Sequence, residues 1–345
     1  MNYLRRLIST LIDKRYTFNY PISNNKKSNT LFEVKRLKDV NSFPVYIIYR
    51  DNGGSGFFSN LLFVFRHIQI AEKFGFIPFI DFLNFPTIYS LDNNPHYADS
   101  WNIYFEPVST LSLEQAYQAP NLIFCDGKFP NEYPMSYDIG KEESLCLFKE
   151  KISIKESIQR EIILMIQELN IIKNNTLGIH WRGNEQNRTK GHWFGPTKHQ
   201  IFKNTDKLLS SGYYSQIYLS TECLSYFNLF KNRYGQLVVY SDYPRSDSNI
   251  YKRSIRKDHY YLLGKEILTE GVILSKCMGL IHGSSNVSDF AAFFNNNVYN
   301  ERIEINNGEN RSNHHLISYN YKILLPYGKM GLKNEIIHYK KNNSI

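Results

Sequence analysis

Short apolar runs alternate with amphipathic stretches through the second half of the chain. Four of the runs have the length of buried strands, and three stretches repeat their apolar positions with the period of a helix. The predicted strands are 176–181, 216–220, 236–240 and 278–282. The predicted helices are 197–211, 260–276 and 286–295. Regular alternation of this kind predicts a parallel sheet whose two faces are covered by helices.

The first half contains a similar unit, and the fold is expected to begin near residue 44. Residues 45–49 predict a strand, and the helical stripe that follows it ends near Gly75. Residues 76–81 predict the next strand, so the three elements form a β–α–β unit with a right-handed crossover. Residues 85–150 are rich in Pro, Asn and Tyr and predict loops and small elements.

The predicted domain limits follow from where these patterns stop. An amphipathic helix over 154–169 ends at an Asn-Asn pair, which separates an N-terminal domain of residues 41–173 from a C-terminal domain of residues 174–345. Both are expected to be α/β domains of the Rossmann-like type. Residues 1–40 are expected to form a separate basic segment, composed of a helix and a linker.

Residues 1–15 carry the pattern of a basic amphipathic helix, with apolar side chains repeating on one face. The pattern is equally consistent with an interfacial membrane anchor and with a helix docked on the protein or on a partner subunit. No secretory signal is present, and no apolar run has the length of a membrane span. We therefore expect a cytoplasmic protein, located at the inner face of the membrane if the anchor interpretation holds.

The net charge of +9 does not indicate nucleic-acid binding, because of where the charge lies. The first 40 residues hold a surplus of six positive charges and the last 25 a surplus of four, which leaves the 280 residues between them close to neutral. A protein that follows a nucleic-acid backbone needs a basic groove on its body. The four cysteines lack the spacing of zinc ligands or of a disulfide framework. We expect no nucleic-acid partner and reduced thiols.

Polar side chains follow predicted strands at three places in the second half, and strand ends are where ligands bind in α/β proteins. The first place carries His180, Arg182 and Glu185. The planar donor fork of Arg182 suits phosphate oxygens. His180 is placed to contact the nucleotide or to orient the arginine.

The other two places add an acidic residue and a helix start. Glu222 ends an apolar strand and, taken alone, equally predicts a cap for the next helix. Glu270 precedes another strand, after which Ser284, Ser285 and Asn286 open a helix. Hydroxyls and free N–H groups at a helix N-terminus form a site for an anion such as a diphosphate. The alternative for this segment is an ordinary N-cap at Ser285 or Asn286 and an exposed Glu270.

In order and spacing, these segments resemble the three motifs of the fucosyltransferase superfamily that includes α-1,6-fucosyltransferases and protein O-fucosyltransferases. The resemblance implies a GT-B fold of two Rossmann-like domains with an interdomain cleft, and a GDP-sugar as the donor. It also implies that Glu222 holds the ribose hydroxyls and that Glu270 pairs with the N1 and N2 donors of guanine, which would select GDP over UDP. The chain departs from the pattern at two points. Glu222 stands in place of Asp, and Asn184-Glu185 stands where many members have Thr-Asp.

The catalytic base and the acceptor side have several candidates. A base must lie beside the donor sugar, which favours Glu185 and His192. His192 is equally placed to bind an acceptor sugar together with Trp193. Asp51, at a strand end of the other domain, is a further candidate on the acceptor side. Asn60 joins it there, because it follows a glycine-rich loop similar to that of the superfamily.

The combined interpretation is a metal-independent, inverting glycosyltransferase. It would move a sugar, with L-fucose as the leading candidate, from a GDP-sugar to a glycan acceptor in surface polysaccharide or capsule synthesis. No Asp-x-Asp motif is present to hold a metal with the diphosphate, so no cofactor is expected. Two alternatives stay open: a different GDP-sugar, such as a GDP-heptose, and a glycan-binding protein that kept the fold without catalysis.

Overall fold

The computed structural model describes residues 32–50, 53, 56–91, 99–130, 142–183, 191–248 and 254–308, and the backbone of 335–340. The described residues form two compact units. The first contains those up to Ile158 together with Lys257–Gly264, and the second contains those of Gln159–Arg256 and from Lys265 onward. The predicted limits after residues 40 and 173 stay predictions, because a compact unit is not by itself a unit that folds alone.

The first unit is built on a four-stranded sheet with the order β1-β4-β2-β3. The strands are β1 (Phe32–Leu37), β2 (Val45–Ile48), β3 (Ile77–Ile80) and β4 (Asn121–Cys125). β2 runs parallel to β3 and β4, whereas β1 runs antiparallel to β4. Helix α1 (Phe57–Phe74) connects β2 to β3, which confirms the predicted β–α–β unit.

The expected start of the fold near residue 44 is wrong, since β1 precedes it. A β-bulge between Val34 and Arg36 interrupts the two-residue period of this strand, so its sequence does not show the usual alternation. The described part of segment 85–150 contains small elements among loops, as its composition predicts. Besides β4, its described part contains α2 (Leu113–Gln118) and α3 (Glu142–Lys151).

The second unit is built on a six-stranded sheet with the order β10-β9-β8-β5-β6-β7. The strands are β5 (Thr176–His180), β6 (Gln216–Ser220), β7 (Val238–Val239), β8 (Gly279–Gly283), β9 (Glu301–Asn306) and β10 (Glu335–Lys340). β5 to β9 are parallel, and β10 is antiparallel to β9. The four strands predicted for this half are confirmed, and β9 and β10 extend the sheet beyond them.

Helices alternate with these strands along the chain. They are α4 (Glu156–Glu168), α5 (Lys198–Leu209), α6 (Leu224–Tyr234), α7 (His259–Lys276) and α8 (Asn286–Phe294). Two of them, α4 and α7, begin with residues of the first unit. All the helices but α6 agree with the sequence prediction. In α6 Phe230 is fully buried, and Phe227 and Tyr234 pack against the same core while partly exposed, so an apolar stripe at helical spacing is present although the sequence prediction does not include this helix. Within the described ranges, no helix combines the length and the apolar character that crossing a membrane requires.

The central strands of the second unit are buried on both faces, and their apolar side chains form its main core. Helix α7 lies close to β5 at Gly178. A Cβ atom at this position would come within 3.1 Å of Cys277 Sγ and of the Leu274 side chain, so the close approach requires glycine. Polar side chains that serve a ligand are therefore placed at the strand ends.

Candidate functional site

The carboxyl ends of three neighbouring strands bring the predicted motifs together. β5 lies between β6 and β8, with His180 opposite Ser220 on one side and opposite His282 on the other. Because the three strands are parallel, the segments that follow them leave the sheet at the same edge. The three polar segments predicted from the sequence therefore share one edge of the second unit's sheet.

The segment that carries Arg182 is anchored on both sides of the arginine. Before it, the Trp181 N–H donates to the Ser220 carbonyl at 3.1 Å. After it, the Gly183 N–H donates to Glu222 Oε1 at 2.9 Å. Arg182 itself is half-buried. Anchors of this kind fix the backbone from which a charged side chain reaches a ligand.

Glu222 occupies space that a side chain at position 183 would need. A Cβ atom on Gly183 would lie 3.1 Å from Cys223 Cβ and 3.2 Å from Glu222 Oε1. Since Oε1 is bonded to the Gly183 N–H, the Oε2 atom is the one left for a ribose hydroxyl. The ribose role of Glu222 stays a prediction. Its hydrogen bond to the Gly183 N–H also fixes the loop that carries Arg182.

Glu270 reaches from α7 to the end of β6. Its Oε2 accepts a hydrogen bond from the Ser220 hydroxyl at 2.9 Å. Glu270 is half-buried. This burial raises the pKa of Glu270 to about 7. Glu222 and Glu266 add to the rise, whereas the Ser220 hydrogen bond and Arg245 oppose it.

Glu270→Gln is expected to stabilise the protein at pH 8 but not at pH 5. Folding raises the pKa of this carboxyl from 4.5 to about 7, so its favourable contribution is complete below pH 4.5 and is lost as the pH rises through 7. Glutamine has no charge to desolvate at either pH. Thermal unfolding at both pH values measures the difference, with the exposed Glu168→Gln as the control. An equal change in Tm at both pH values would contradict the raised pKa.

His180 is a buried, uncharged imidazole at the end of β5. It is 5% exposed, and this burial, together with His282 and Arg182 nearby, lowers its pKa to about 3. Its Nδ1 atom lies 3.3 Å from Ser285 Oγ at the start of α8. Burial likewise lowers the pKa of His282 to about 3. At neutral pH, Arg182 is therefore the charged member of these three basic side chains.

The hydroxyl groups at the start of α8 are engaged within the protein. Ser285 is the N-cap, and its Oγ accepts from the Ser288 N–H at 3.3 Å. Ser284 donates its hydroxyl to Glu304 Oε1 at 3.0 Å. An ionised diphosphate oxygen needs a donor, and the N–H groups of the first helical turn, from Asn286 onward, can supply it. The anion site predicted at this helix start thus depends mainly on the backbone.

Residues of β9 contribute to this region without a clear signal in the sequence. Arg302 Nη2 lies 3.5 Å from Glu304 Oε2, and Arg302 is 2% exposed. Burial, together with Glu304, raises the pKa of Asp289 on α8 to about 7, and Arg302 opposes the rise. The sequence signal that could have identified these residues is the presence of charged side chains inside the short apolar run of β9. Such a run more often indicates an ordinary half-exposed strand.

His192 and Trp193 precede α5 in the second unit. His192 is half-buried, and burial and the nearby charge of Arg182 lower its pKa. The imidazole is therefore neutral at pH 7, which is the form that a general base requires. Trp193 is 42% exposed, so its ring is accessible to a ligand.

Three further residues are predicted for catalysis or for the acceptor side, and the structure describes one of them. Asp51 and Glu185 lie outside the described residues. Asn60 belongs to the first unit, where it is buried in the first turn of α1 and accepts a hydrogen bond from Arg50. In the part of the chain that the structure describes, no three His, Cys, Asp or Glu side chains are grouped as metal ligands. Independence from metal stays a prediction.

No protein-family model and no curated protein matches this chain, but solved structures do. Fucosyltransferase NodZ from Bradyrhizobium aligns with a TM-score of 0.51 at 14% identity, over 77% of this chain and 96% of that chain. NodZ α-1,6-fucosyltransferase co-crystallised with GDP gives the same values. POFUT1 in complex with GDP aligns at 10% identity with a TM-score of 0.37, over 74% of this chain and 94% of that chain.

The similarity to NodZ shows the fold. The expected α/β class and the GT-B fold of the fucosyltransferases are confirmed by the match over most of both chains. At 14% identity the match does not extend to the activity or to individual side chains. The interdomain cleft and the roles of the site residues stay predictions.

Proposed function

We propose that this protein is a glycosyltransferase that moves L-fucose from GDP-fucose to a glycan acceptor. The observation that supports this most strongly is the meeting of Arg182, Glu270 and the start of α8 at one sheet edge. The protein has the fold of NodZ, which has been crystallised with GDP and soaked with GDP-fucose. In parallel α/β sheets this edge is the usual ligand site.

In the proposed complex the diphosphate of the donor lies between Arg182 and the first turn of α8. Arg182 presents paired N–H donors to the phosphate oxygens, and the helix start adds backbone N–H groups and a partial positive charge. Both interactions strengthen as the leaving group gains negative charge, which lowers the barrier to transfer. His180 adds a neutral polar group at the same edge.

The proposed reaction is an inverting displacement at the anomeric carbon. A base removes the proton of the acceptor hydroxyl, and the acceptor oxygen bonds to the anomeric carbon from the side opposite the diphosphate. The carbon–oxygen bond to the diphosphate breaks, and its electron pair leaves with GDP. Glu185 and His192 are the proposed bases, and His192 is neutral at pH 7. Arg182 and α8 would stabilise the leaving group without a metal.

GDP is expected to bind more tightly than UDP by about tenfold or more, because hydrogen bonds to a charged group contribute roughly 1.5–3 kcal/mol. The Glu270 carboxylate would accept from N1–H and N2–H of guanine, and uracil has no equivalent pair of donors. Isothermal titration calorimetry at pH 8, where this carboxylate is ionised, measures the two affinities. Added EDTA is expected to change neither.

The matched variant for this measurement is Glu270→Gln. It removes the charge of the carboxylate and should lose most of the preference for GDP over UDP. Equal affinities of the wild-type protein for GDP and UDP would contradict a GDP-sugar donor. Transfer from GDP-heptose in preference to GDP-fucose would support the proposed guanine nucleotide but contradict fucose as the donor sugar. Tight GDP binding without hydrolysis or transfer of any GDP-sugar would favour a glycan-binding protein.

The cellular part of the proposal is synthesis of a surface polysaccharide or capsule on the cytoplasmic side of the membrane. It is supported by the glycosyltransferase interpretation and by the basic amphipathic pattern of residues 1–15, which lie outside the described residues. Contact of those residues with the inner membrane face stays a prediction.

A further inference from the structure

A concave surface on α5 and the end of α6 involves none of the residues of the donor site. It has a volume of about 620 Å3, which is within the usual range for sites that bind small ligands. It is lined by Lys198, His199, Phe202, Lys203, Asp206 and Arg233. We refer to this surface as the α5 groove.

Positive charge dominates the α5 groove, since three basic side chains face one acid. Lys198 and Lys203 are exposed. Neither forms an ion pair with another residue in the described part of the chain. Their ammonium groups therefore keep donors for an anion that arrives from outside. Two uncompensated charges a little more than one helical turn apart on α5 suit a ligand with more than one negative group.

Asp206 orients the third basic residue. Its carboxylate accepts from Arg233 Nε at 3.3 Å and from Nη2 at 2.6 Å, and it also accepts from the Tyr234 hydroxyl at 2.8 Å. This two-point contact fixes the plane of the guanidinium. The Nη1 atom has no hydrogen bond to a described residue, so the fixed group can still donate to an anion in the groove.

Phe202 lies beside two of the cations. Its ring centroid is 5.8 Å from Lys198 Nζ and 5.1 Å from Arg233 Cζ, so both cations contact the aromatic ring. Phe202 is 8% exposed. The ring is therefore largely covered, with two cations beside it, and the exposed lysines present their positive charge at the groove.

We propose that the α5 groove binds an acidic segment of the glycan acceptor, whose carboxylate or phosphate groups contact Lys198, Lys203 and Arg233. A sugar chain is narrow enough to enter a groove of this volume, and it can repeat its negative groups along its length. The segment leading into α5 carries the exposed Trp193, five residues before Lys198. The identity of the partner rests on the proposed function, because it assumes that the acceptor is a glycan.

Binding of an oligogalacturonate to the full-length protein, without donor nucleotide, tests the proposal. Lys203→Glu is expected to weaken this binding about tenfold, because the change removes one ion pair and introduces a repulsion. Lys207→Glu is the matched control: it makes the same change in the same helix, but Lys207 is not part of the lining. The wild-type affinity should fall as salt is raised, and a neutral dextran oligosaccharide should not bind.

Several results would overturn the proposal. Equal weakening by Lys207→Glu would indicate a non-specific charge effect, and equal binding of dextran would remove the need for negative groups. Binding to phosphatidylglycerol vesicles that Lys203→Glu weakens, without binding to oligogalacturonate, would make the groove a membrane contact. GDP titration of the same proteins separates the two proposals. Retained GDP binding without oligogalacturonate binding rejects the groove alone, whereas oligogalacturonate binding without GDP binding rejects the proposed function.

Discussion

Arg182→Ala is expected to lower kcat/KM for sugar transfer by about 100-fold or more, the scale for losing one donor that stabilises charge in the transition state. His180 and His282, the buried imidazoles at the same edge, are neutral and cannot replace the lost charge. The arginine is half-buried in a loop after β5. Its removal should therefore leave the Tm close to the wild-type value. Initial rates with GDP-fucose and an acceptor measure the effect.

Arg182→Lys separates charge from geometry. Lysine restores the positive charge but not the planar pair of donors, so we expect partial recovery. Near-normal transfer by Arg182→Ala, combined with loss of transfer in His192→Ala, would show that the diphosphate lies elsewhere. Unchanged GDP affinity in Arg182→Ala with a reduced kcat would instead indicate that the arginine acts mainly in the transition state.

Gly183→Ala is expected to lower kcat/KM by about 10- to 100-fold while leaving every charged residue of the site in place. The new Cβ atom would lie 3.1 Å from Cys223 Cβ and 3.2 Å from Glu222 Oε1. The loop must move to relieve these contacts, which disturbs the bond between the Gly183 N–H and Glu222. A shift of about 1 Å in a group that positions the substrate can have an effect of this size.

A double variant tests whether the effect of Gly183→Ala acts through Arg182. If it does, adding Gly183→Ala to Arg182→Ala should cost little more, because both changes remove the same interaction. Fully additive losses in kcat/KM would show that Gly183 supports something other than the arginine. The Tm of each variant, measured in parallel, identifies a loss that comes from unfolding.

The strands of the second unit could be predicted because buried strands appear in the sequence as short apolar runs. Every residue of β5 and β6 is buried, so each appears as a short apolar run. The sequence prediction does not include β1 or α6. The bulge at Val34 disturbs the period of β1, and the position of this strand depends on its pairing with β4, which no local pattern records. In α6 the apolar side chains Phe227, Phe230 and Tyr234 do recur at helical spacing, but Phe230 alone is fully buried.

The candidate site also has features that the sequence predicts and features that it does not. The proximity of the three polar segments follows from parallel strands, and it could be inferred before the structure. The partner of Ser284 could not, because its bond to Glu304 depends on the register that sets His282 opposite Glu304 in β8 and β9. The sequence predicts a hydroxyl that faces the diphosphate. In the structure that hydroxyl donates to a carboxylate of the same protein.

The order of the strands also has a consequence for folding. β5 and β8 are neighbours in the sheet, although the paired residues are about 100 positions apart in the chain, and closing a loop of that length costs entropy before any pairing compensates it. Sheets that depend on such distant pairs fold slowly. His180 and Ser285 come together only when this pairing is complete. Nucleotide binding would therefore recover during refolding only after the whole sheet has assembled. A nascent chain that ends before β8 would lack the donor site and could not yet bind the nucleotide.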